Sequence, residues 1–91
     1  MYTLYLSASA KKSLKKLKSN KKFDRDNFNN VLDILLRGEK LEKKYKNHIL
    51  IGNYASCQEC HVQNDLLLIY HYLDDKLILY IVNVGSHSEL F

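Results

Sequence analysis

The sequence has no proline, only two cysteines and no long apolar run, and each scarcity excludes something. No apolar stretch approaches the roughly 20 residues of a membrane-spanning helix, and the N-terminus lacks the charged-then-apolar order of a signal peptide. We therefore expect a cytosolic protein with no membrane contact, whose cysteines are free thiols. Nothing resembles a repeat or a linker, and 91 residues can bury one modest core. The prediction is a single domain over residues 1–91.

Charge is distributed unevenly along the chain. Up to Lys46 there are thirteen basic and five acidic residues, whereas Lys76 is the one basic residue beyond it. All four histidines lie in the second part: His48, His61, His71 and His87. A cationic surface beside a histidine-bearing one suits a polyanionic partner, because lysines on phosphates give affinity and steering. The lysines could equally form a solvated face that keeps a small protein in solution.

The first half predicts a strand and two helices. Alternation from Tyr2 to Leu6 indicates a strand, and Ser7 or Ser9 can cap a lysine-rich amphipathic helix that ends near Ser19. Asp24 is a suitable N-cap for a second helix, which Gly38 can close in the left-handed conformation. The predicted buried positions of the two helices are Ala10, Leu14, Leu17, Phe28, Val31, Leu32 and Leu35.

The second half predicts four strands joined by short turns. The β-rich runs are Ile49 to Tyr54, Cys57 to Gln63, Leu66 to Leu73 and Leu77 to Val84, with turn signals at Asn64-Asp65 and Asp74-Asp75. The third run begins with residues that are apolar on both faces, so we expect it near the sheet centre under the helix pair. The fold class is α+β in the order β-α-α-β-β-β-β, with a mainly antiparallel four-strand meander in one sheet.

The stretch Cys57-Gln-Glu-Cys-His61 has the spacing of a c-type haem site. On a strand, however, Cys57, Glu59 and His61 share one face while Cys60 points to the other, so the two thiols diverge. A closed zinc site would need four ligands, and no second ligand pair exists. We therefore favour Cys60 as a small core residue over haem, zinc or a redox pair, and we predict no metal and no cofactor.

Three separated motifs resemble one family of proteins. The segment from Glu59 to Tyr70 is similar to the signature of the YafQ-like branch of the RelE/ParE toxin superfamily, in which a histidine precedes a turn aspartate and an apolar strand. The ending from Gly85 to Phe91 looks like the family's closing Gly-[Ser/Thr]-His-x-x-Leu-Phe. The histidine of Tyr45-Lys-Asn-His48 is similar to one that the family carries just before its second strand.

The resemblance implies a RelE-like fold and a function. YafQ-like toxins are bacterial, ribosome-dependent endoribonucleases that cleave translated mRNA without a metal, and a cognate antitoxin neutralises them. The resemblance implies three partners: an acidic antitoxin, the ribosome and mRNA. The toxin and antitoxin could form a 2:2 complex, and operator DNA would be contacted only through the antitoxin. The implied catalytic residues are His48, His61, Asp65 and His87, and Phe91 would bind RNA with Glu59 nearby.

Metal-free RNA cleavage needs the kinds of group that this set supplies. One group must accept the proton of the 2′-hydroxyl and another must protonate the departing 5′-oxygen, and histidine suits both steps near neutral pH. We expect His48 or His61 to act as the base or as a cationic phosphate ligand, and His87 as the acid. Asp65 would orient a neighbouring imidazole, and Phe91 would stack on a base.

One position departs from the family pattern. Many YafQ-like toxins carry an arginine two residues before the closing glycine, where this chain has Asn83. An asparagine can hydrogen-bond a phosphate but brings no charge to it. Lys43, Lys44 and Lys46 are the candidates that could supply this charge, and we include them with Asn83 as RNA-binding residues.

Two alternative functions stay open. A ParE-like inhibitor of DNA gyrase shares the fold but acts by binding, and it does not require several histidines around one face. The chain could also be a catalytically weak module that only binds an antitoxin, if Asn83 has disabled the chemistry.

Overall fold

The computed structural model describes residues 1–91, the side chain of Asn53 excepted, as helices packed on a five-stranded sheet. In chain order the elements are β1 (Thr3–Leu6), α1 (Ala8–Lys18), α2 (Arg25–Leu36), β2 (His48–Ile49), β3 (Gln58–Gln63), β4 (Leu66–Leu73), β5 (Ile78–Gly85) and α3 (His87–Leu90). The strand order is β1-β5-β4-β3-β2. Neighbours are antiparallel, except that β1 runs parallel to β5. The α+β class is confirmed, and β4 lies at the sheet centre as predicted.

The two long helices begin and end where their capping residues predict. The Ser7 hydroxyl accepts the Ala10 amide proton at the start of α1, and the Asp24 carboxylate accepts that of Asn27 at the start of α2. Gly38 closes α2 with φ of 72°, and a Cβ atom there would lie 3.1 Å from the Tyr2 ring. Glycine therefore meets both a conformational and a steric requirement at this position.

The predicted strand from Ile49 to Tyr54 is wrong, because β2 contains only His48 and Ile49. The chain then leaves the ladder: the Leu50 amide donates to the Cys57 carbonyl, and a 3-10 turn forms at Gly52–Tyr54. Leu50 and Tyr54 pack on a small core cluster beneath this loop. These two partly buried side chains therefore contact the core from a loop and not from a regular strand.

The end of the chain forms a helix that the sequence pattern had not predicted. Helix α3 starts after Ser86, whose hydroxyl accepts the Glu89 amide proton while the Glu89 carboxylate accepts the Ser86 amide proton. This reciprocal capping box holds the first turn, and Leu90 is buried below it.

Two clusters of buried side chains lie on opposite faces of the sheet. The larger one joins α1 and α2 to the sheet and includes Val31, Cys60, Leu68 and Ile81. The smaller one, around Leu67, Ile69 and Leu90, lies under α3 and the loop that follows β2. In the part of the chain that the structure describes, no helix combines the length and the apolar content needed to cross a bilayer. The smaller cluster supports the face on which the histidines gather.

Candidate active site

A buried glutamate lies between two histidines on the face opposite the long helices. His48 and Glu59 are directly paired across β2 and β3, and His61 follows Glu59 by two residues on β3. The Glu59 Oε1 atom lies 3.4 Å from His48 Nε2 and 3.7 Å from His61 Nε2. Glu59 is only 4% exposed, whereas both imidazoles reach solvent. One buried carboxylate oxygen thus lies near the Nε2 atoms of two solvent-accessible imidazole rings.

Among the side chains that the structure describes, none pairs with the other oxygen of this carboxylate. Glu59 Oε2 is buried and accepts no hydrogen bond from any residue that the structure describes. A buried charged oxygen without a donor is costly, so strand packing alone does not account for a glutamate here. In this position the Glu59 carboxylate can stabilise a positive charge on a neighbouring imidazole.

The His48 ring has a defined orientation. Its Nδ1 atom lies 2.9 Å from the carbonyl oxygen of Lys46. Because a carbonyl can only accept, Nδ1 carries a proton in this contact, and Nε2 is the ring nitrogen that lies near Glu59. Lys46 supports this geometry with a left-handed backbone, φ 51°. The two contacts together fix the orientation of the ring.

A cationic groove adjoins His61. It encloses about 330 Å³ and is lined by Lys44, Lys46, His61 and Asp65, together with Asn27, Tyr45, Val62, Gln63 and Asn64. Lys44 also lies over the buried Tyr45 ring, 5.2 Å from its centroid. Of the three predicted lysines, Lys43 does not line this groove. Two lysines thus accompany one histidine in a space that could hold a phosphate.

Asp65 connects this groove to α3. It lies in the turn after β3 with φ of 49°, and its Oδ1 accepts a hydrogen bond from the backbone amide of His87 at 3.1 Å. The expectation was that Asp65 orients an imidazole, but the carboxylate contacts backbone, and Glu59 is the carboxylate that faces imidazoles. Asp65 therefore positions the segment that carries His87.

The ring of Phe91 completes the exposed end of α3. It lies 5.2 Å from the His87 ring and edge-on to Tyr54 at 5.6 Å, and it remains 55% exposed. A half-exposed aromatic ring beside an exposed histidine offers a surface on which a base can stack. Sequence reasoning missed Tyr54, since it was assigned to a regular strand.

Asn83 lies apart from the groove of His61. Strand β1 ends at Leu6, opposite Ile81, so that β5 borders α1 beyond this point. The Ser13 hydroxyl of α1 donates to Asn83 Oδ1 at 3.4 Å, and that oxygen also accepts the Val84 amide proton. The pairing register between β4 and β5 shifts by one residue at this point. The alternation of apolar and polar residues in the sequence does not predict such a shift. The structure therefore does not bring Asn83 together with Lys44 and Lys46.

The cysteine-rich stretch does not form a thiol site. Cys60 belongs to the larger core cluster and Cys57 packs on the smaller one, on the opposite face. Burial and the nearby Glu59 charge raise the pKa of Cys60 to about 12, and burial also raises the pKa of Cys57. Among the side chains described, no group of three or more histidine, cysteine, aspartate or glutamate residues is arranged to hold a metal ion.

Comparison with known proteins identifies relatives of the whole chain. The family model described as bacterial toxin of type II toxin-antitoxin system, YafQ, matches residues 2–91. A YafQ toxin sequence of Haemophilus influenzae is 33% identical over 66% of the chain, and the match spans 63% of that relative's length. The chain thus spans less than two thirds of this curated relative.

Solved structures share the complete fold. A metal-bound toxin from Helicobacter pylori is 40% identical with a TM-score of 0.91, and each chain covers all of the other. A chain of the Escherichia coli DinJ-YafQ complex is 25% identical with a TM-score of 0.87 and covers 100% of this chain and 99% of its own length. Because the family model matches almost every residue of the sequence, the chain belongs to the YafQ family of bacterial type II toxin-antitoxin toxins.

Proposed function

We propose that this chain, as one toxin domain over residues 1–91, is a ribosome-dependent endoribonuclease that cleaves translated mRNA in the bacterial cytoplasm. The observation that carries the proposal is the buried Glu59 carboxylate, which lies 3.4 Å and 3.7 Å from the Nε2 atoms of His48 and His61. A YafQ-family chain that only bound a partner would have no need for a buried carboxylate beneath two accessible imidazoles.

The chemistry begins with proton removal from the 2′-hydroxyl. With Nδ1 bonded to the Lys46 carbonyl, neutral His48 can accept this proton on Nε2, and Glu59 then stabilises the imidazolium that forms. His61 lies at a similar distance from Glu59 and is the alternative base. The freed 2′-oxygen attacks the adjacent phosphorus, and the bond from phosphorus to the 5′-oxygen breaks.

The remaining residues serve the phosphate and the leaving group. Lys44 and Lys46 would offset the charge of the pentacovalent phosphorane from the groove beside His61. His87 would protonate the departing 5′-oxygen, and Asp65 would hold the backbone that carries it. Phe91 would stack on a flanking base. None of these steps is assigned to a metal or another cofactor.

The partners follow from family membership. We propose that an acidic antitoxin neutralises this chain, since the related Escherichia coli YafQ forms the DinJ-YafQ toxin-antitoxin complex. The strongly cationic first half suits such a partner. A 2:2 assembly, and contact with operator DNA only through the antitoxin, complete the proposal.

A binding role without strong catalysis is the second candidate. It is favoured by Asn83, which brings no charge and lies beside α1 rather than in the groove of Lys44 and Lys46. In this case the chain would block translation or bind its antitoxin but leave the mRNA intact.

Primer extension on a reporter mRNA in a translating bacterial extract separates these candidates. The wild-type protein should cut within codons only when ribosomes are present, and His87→Gln should slow the cutting about 100-fold or more. His71→Gln is the matched control, because His71 bonds the Ser56 carbonyl outside the proposed site and its loss should leave cutting intact. Blocked translation with uncut mRNA would establish the binding role instead.

A further inference from the structure

Three cavities adjoin one another around the end of the sheet. The groove of His61 shares Gln63, Asn64 and Asp65 with a second cavity of about 450 Å³ that extends beneath α3. The second cavity shares Leu17, Asn20 and Glu89 with a third, of about 400 Å³, between α1 and β5. The shared lining residues place the three cavities side by side, from His61 to Asn83, and we call this series the furrow.

Lysine residues line each of the three cavities. Lys44 and Lys46 line the first cavity, Lys22 the second, and Lys12 and Lys16 the third. Among the residues described, none of these lysines lies within ion-pairing distance of a carboxylate. These five lysines outnumber the two carboxylates, Asp65 and Glu89, that line the same furrow, and cations spaced in this way match the charges of a nucleic acid backbone.

The carboxylates in the furrow are already occupied. Asp65 accepts the His87 amide proton, and Glu89 accepts the Ser86 amide proton, so both face the start of α3. Backbone hydrogen bonding lowers the pKa of Glu89, with a smaller contribution from Lys16. Both carboxylates are exposed, but each is bonded to the backbone at the start of α3, so their oxygens are held in place there.

The third cavity has the donors that a phosphate requires. Lys12 and Lys16 stand one turn apart on α1 and line this cavity together with Ser9, Ser13 and Asn83. Asn83 Oδ1 is engaged by Ser13 and by the Val84 amide, while its side-chain nitrogen donates to no residue that the structure describes. Two charges and several neutral donors thus converge on one space.

We propose that this furrow is a track for single-stranded RNA and that Lys12, Lys16, Ser13 and Asn83 form a distal phosphate subsite on it. The proposal rests on the proposed function, because it extends the strand that would be cut at the histidines. A nucleotide held at Phe91 and α3 would pass its backbone under Glu89 into this subsite. The charge that Asn83 lacks would then come from α1.

The test measures binding of uncleavable 2′-O-methyl RNA to the purified protein by fluorescence anisotropy across a salt series. Oligonucleotides of about 4 and about 10 nucleotides are compared, since only the longer one can reach from the histidines to α1. The test variant is the Lys12→Gln/Lys16→Gln pair. The control is Lys11→Gln/Lys15→Gln, which removes the same charge from the same helix but does not line the cavity.

The test pair should weaken binding of the longer RNA about tenfold and reduce the salt slope by about 1.4, or about 0.7 per lost phosphate contact. The control pair should change affinity by less than about twofold, and Asn83→Asp should weaken binding like the test pair. Equal losses for both lysine pairs would overturn the subsite in favour of diffuse attraction. Binding of poly-glutamate is measured in the same way. If the test pair loses poly-glutamate binding while its RNA binding is unchanged, the subsite would be reassigned to an acidic peptide.

Because the RNA cannot be cleaved and no ribosome is present, this measurement does not depend on catalysis. A protein that fails to cut mRNA but shows the expected lysine and length dependence would keep the track and lose the nuclease proposal. A protein that cuts mRNA but binds both oligonucleotides with equal affinity would keep the nuclease proposal and lose the track.

Discussion

At the scale of single residues, Glu59 is the group on which the account depends. Alternation along β3 placed it on the same face as His61, but the sequence could not foresee that it would be buried between two imidazoles. Its burial depends on how β2 crosses the edge of β3, and that register is set by only two paired residues. A polar residue kept in a costly position is a common mark of function rather than stability.

Replacing Glu59 by glutamine should separate activity from stability. The substitution keeps the shape but removes the charge that stabilises an imidazolium, so the rate of mRNA cleavage should fall about 100-fold. The free energy of unfolding in urea should stay within about 1 kcal/mol, because an unpaired buried charge is removed. An unstable variant, or one that cuts normally, would contradict the assigned role.

The two cysteines should differ in reactivity. Cys60 is fully buried with its pKa raised to about 12, whereas Cys57 is only half-buried. Since the thiolate is the reactive form, alkylation of the native protein at about pH 8 should modify Cys57 first and leave Cys60 protected until unfolding. Mass spectrometry of a time course measures this order. Equal labelling of both would refute the placement of Cys60 in the core.

At the scale of elements, the bounds of helices and strands could be predicted where local sequence signals agree with the packing of the core. Asp24, Gly38 and the apolar run of β4 have the bounds or roles that pattern and capping rules assign to them. The loop after β2 was not predictable, because burial of Leu50 and Tyr54 overrides their strand propensity. Helix α3 was missed although Ser86 and Glu89 have capping-box spacing.

Strand β2 depends on a buried tyrosine for its position. The Tyr70 hydroxyl donates to Asn47, and the Asn47 amide donates to Gln58 at 2.9 Å, next to His48. Tyr70→Phe should lower the free energy of unfolding by about 1 kcal/mol. It should also speed amide hydrogen exchange in β2. Tyr72→Phe is the control: it loses a hydrogen bond to the Leu35 carbonyl and should leave β2 protected. Unchanged exchange in β2 would contradict the anchoring.

Order in α3 should depend on acidity. The folded-state pKa of Glu89 is lowered, chiefly by its hydrogen bond to the Ser86 amide. A lowered folded pKa means that the contribution is complete above the ordinary value of 4.5 and is lost as the pH falls through the folded value. Amide protection of Phe91 should therefore drop in acid, and Glu89→Gln should remove this dependence. Protection that stays constant in wild type down to acid unfolding would contradict the capping role.

At the scale of the whole molecule, the chain separates its two kinds of chemistry. Helix α1 carries five of the twelve lysines on one side of the sheet, and the opposite face of the sheet carries the Glu59 cluster. The uneven charge was visible in the sequence. The furrow was not, because it requires α1, the turn at Asp65 and the start of α3 to lie close together.

The central claim is acid-base cleavage by histidines beside a buried carboxylate. The most direct measurement is the pH dependence of single-turnover mRNA cleavage on purified ribosomes, for wild type, His48→Gln and His87→Gln. The account predicts a bell-shaped profile in wild type, loss of the alkaline decline in His87→Gln, which removes the acid, and loss of the acidic decline in His48→Gln, which removes the base. A wild-type profile without these declines, or variants that retain both, would contradict it.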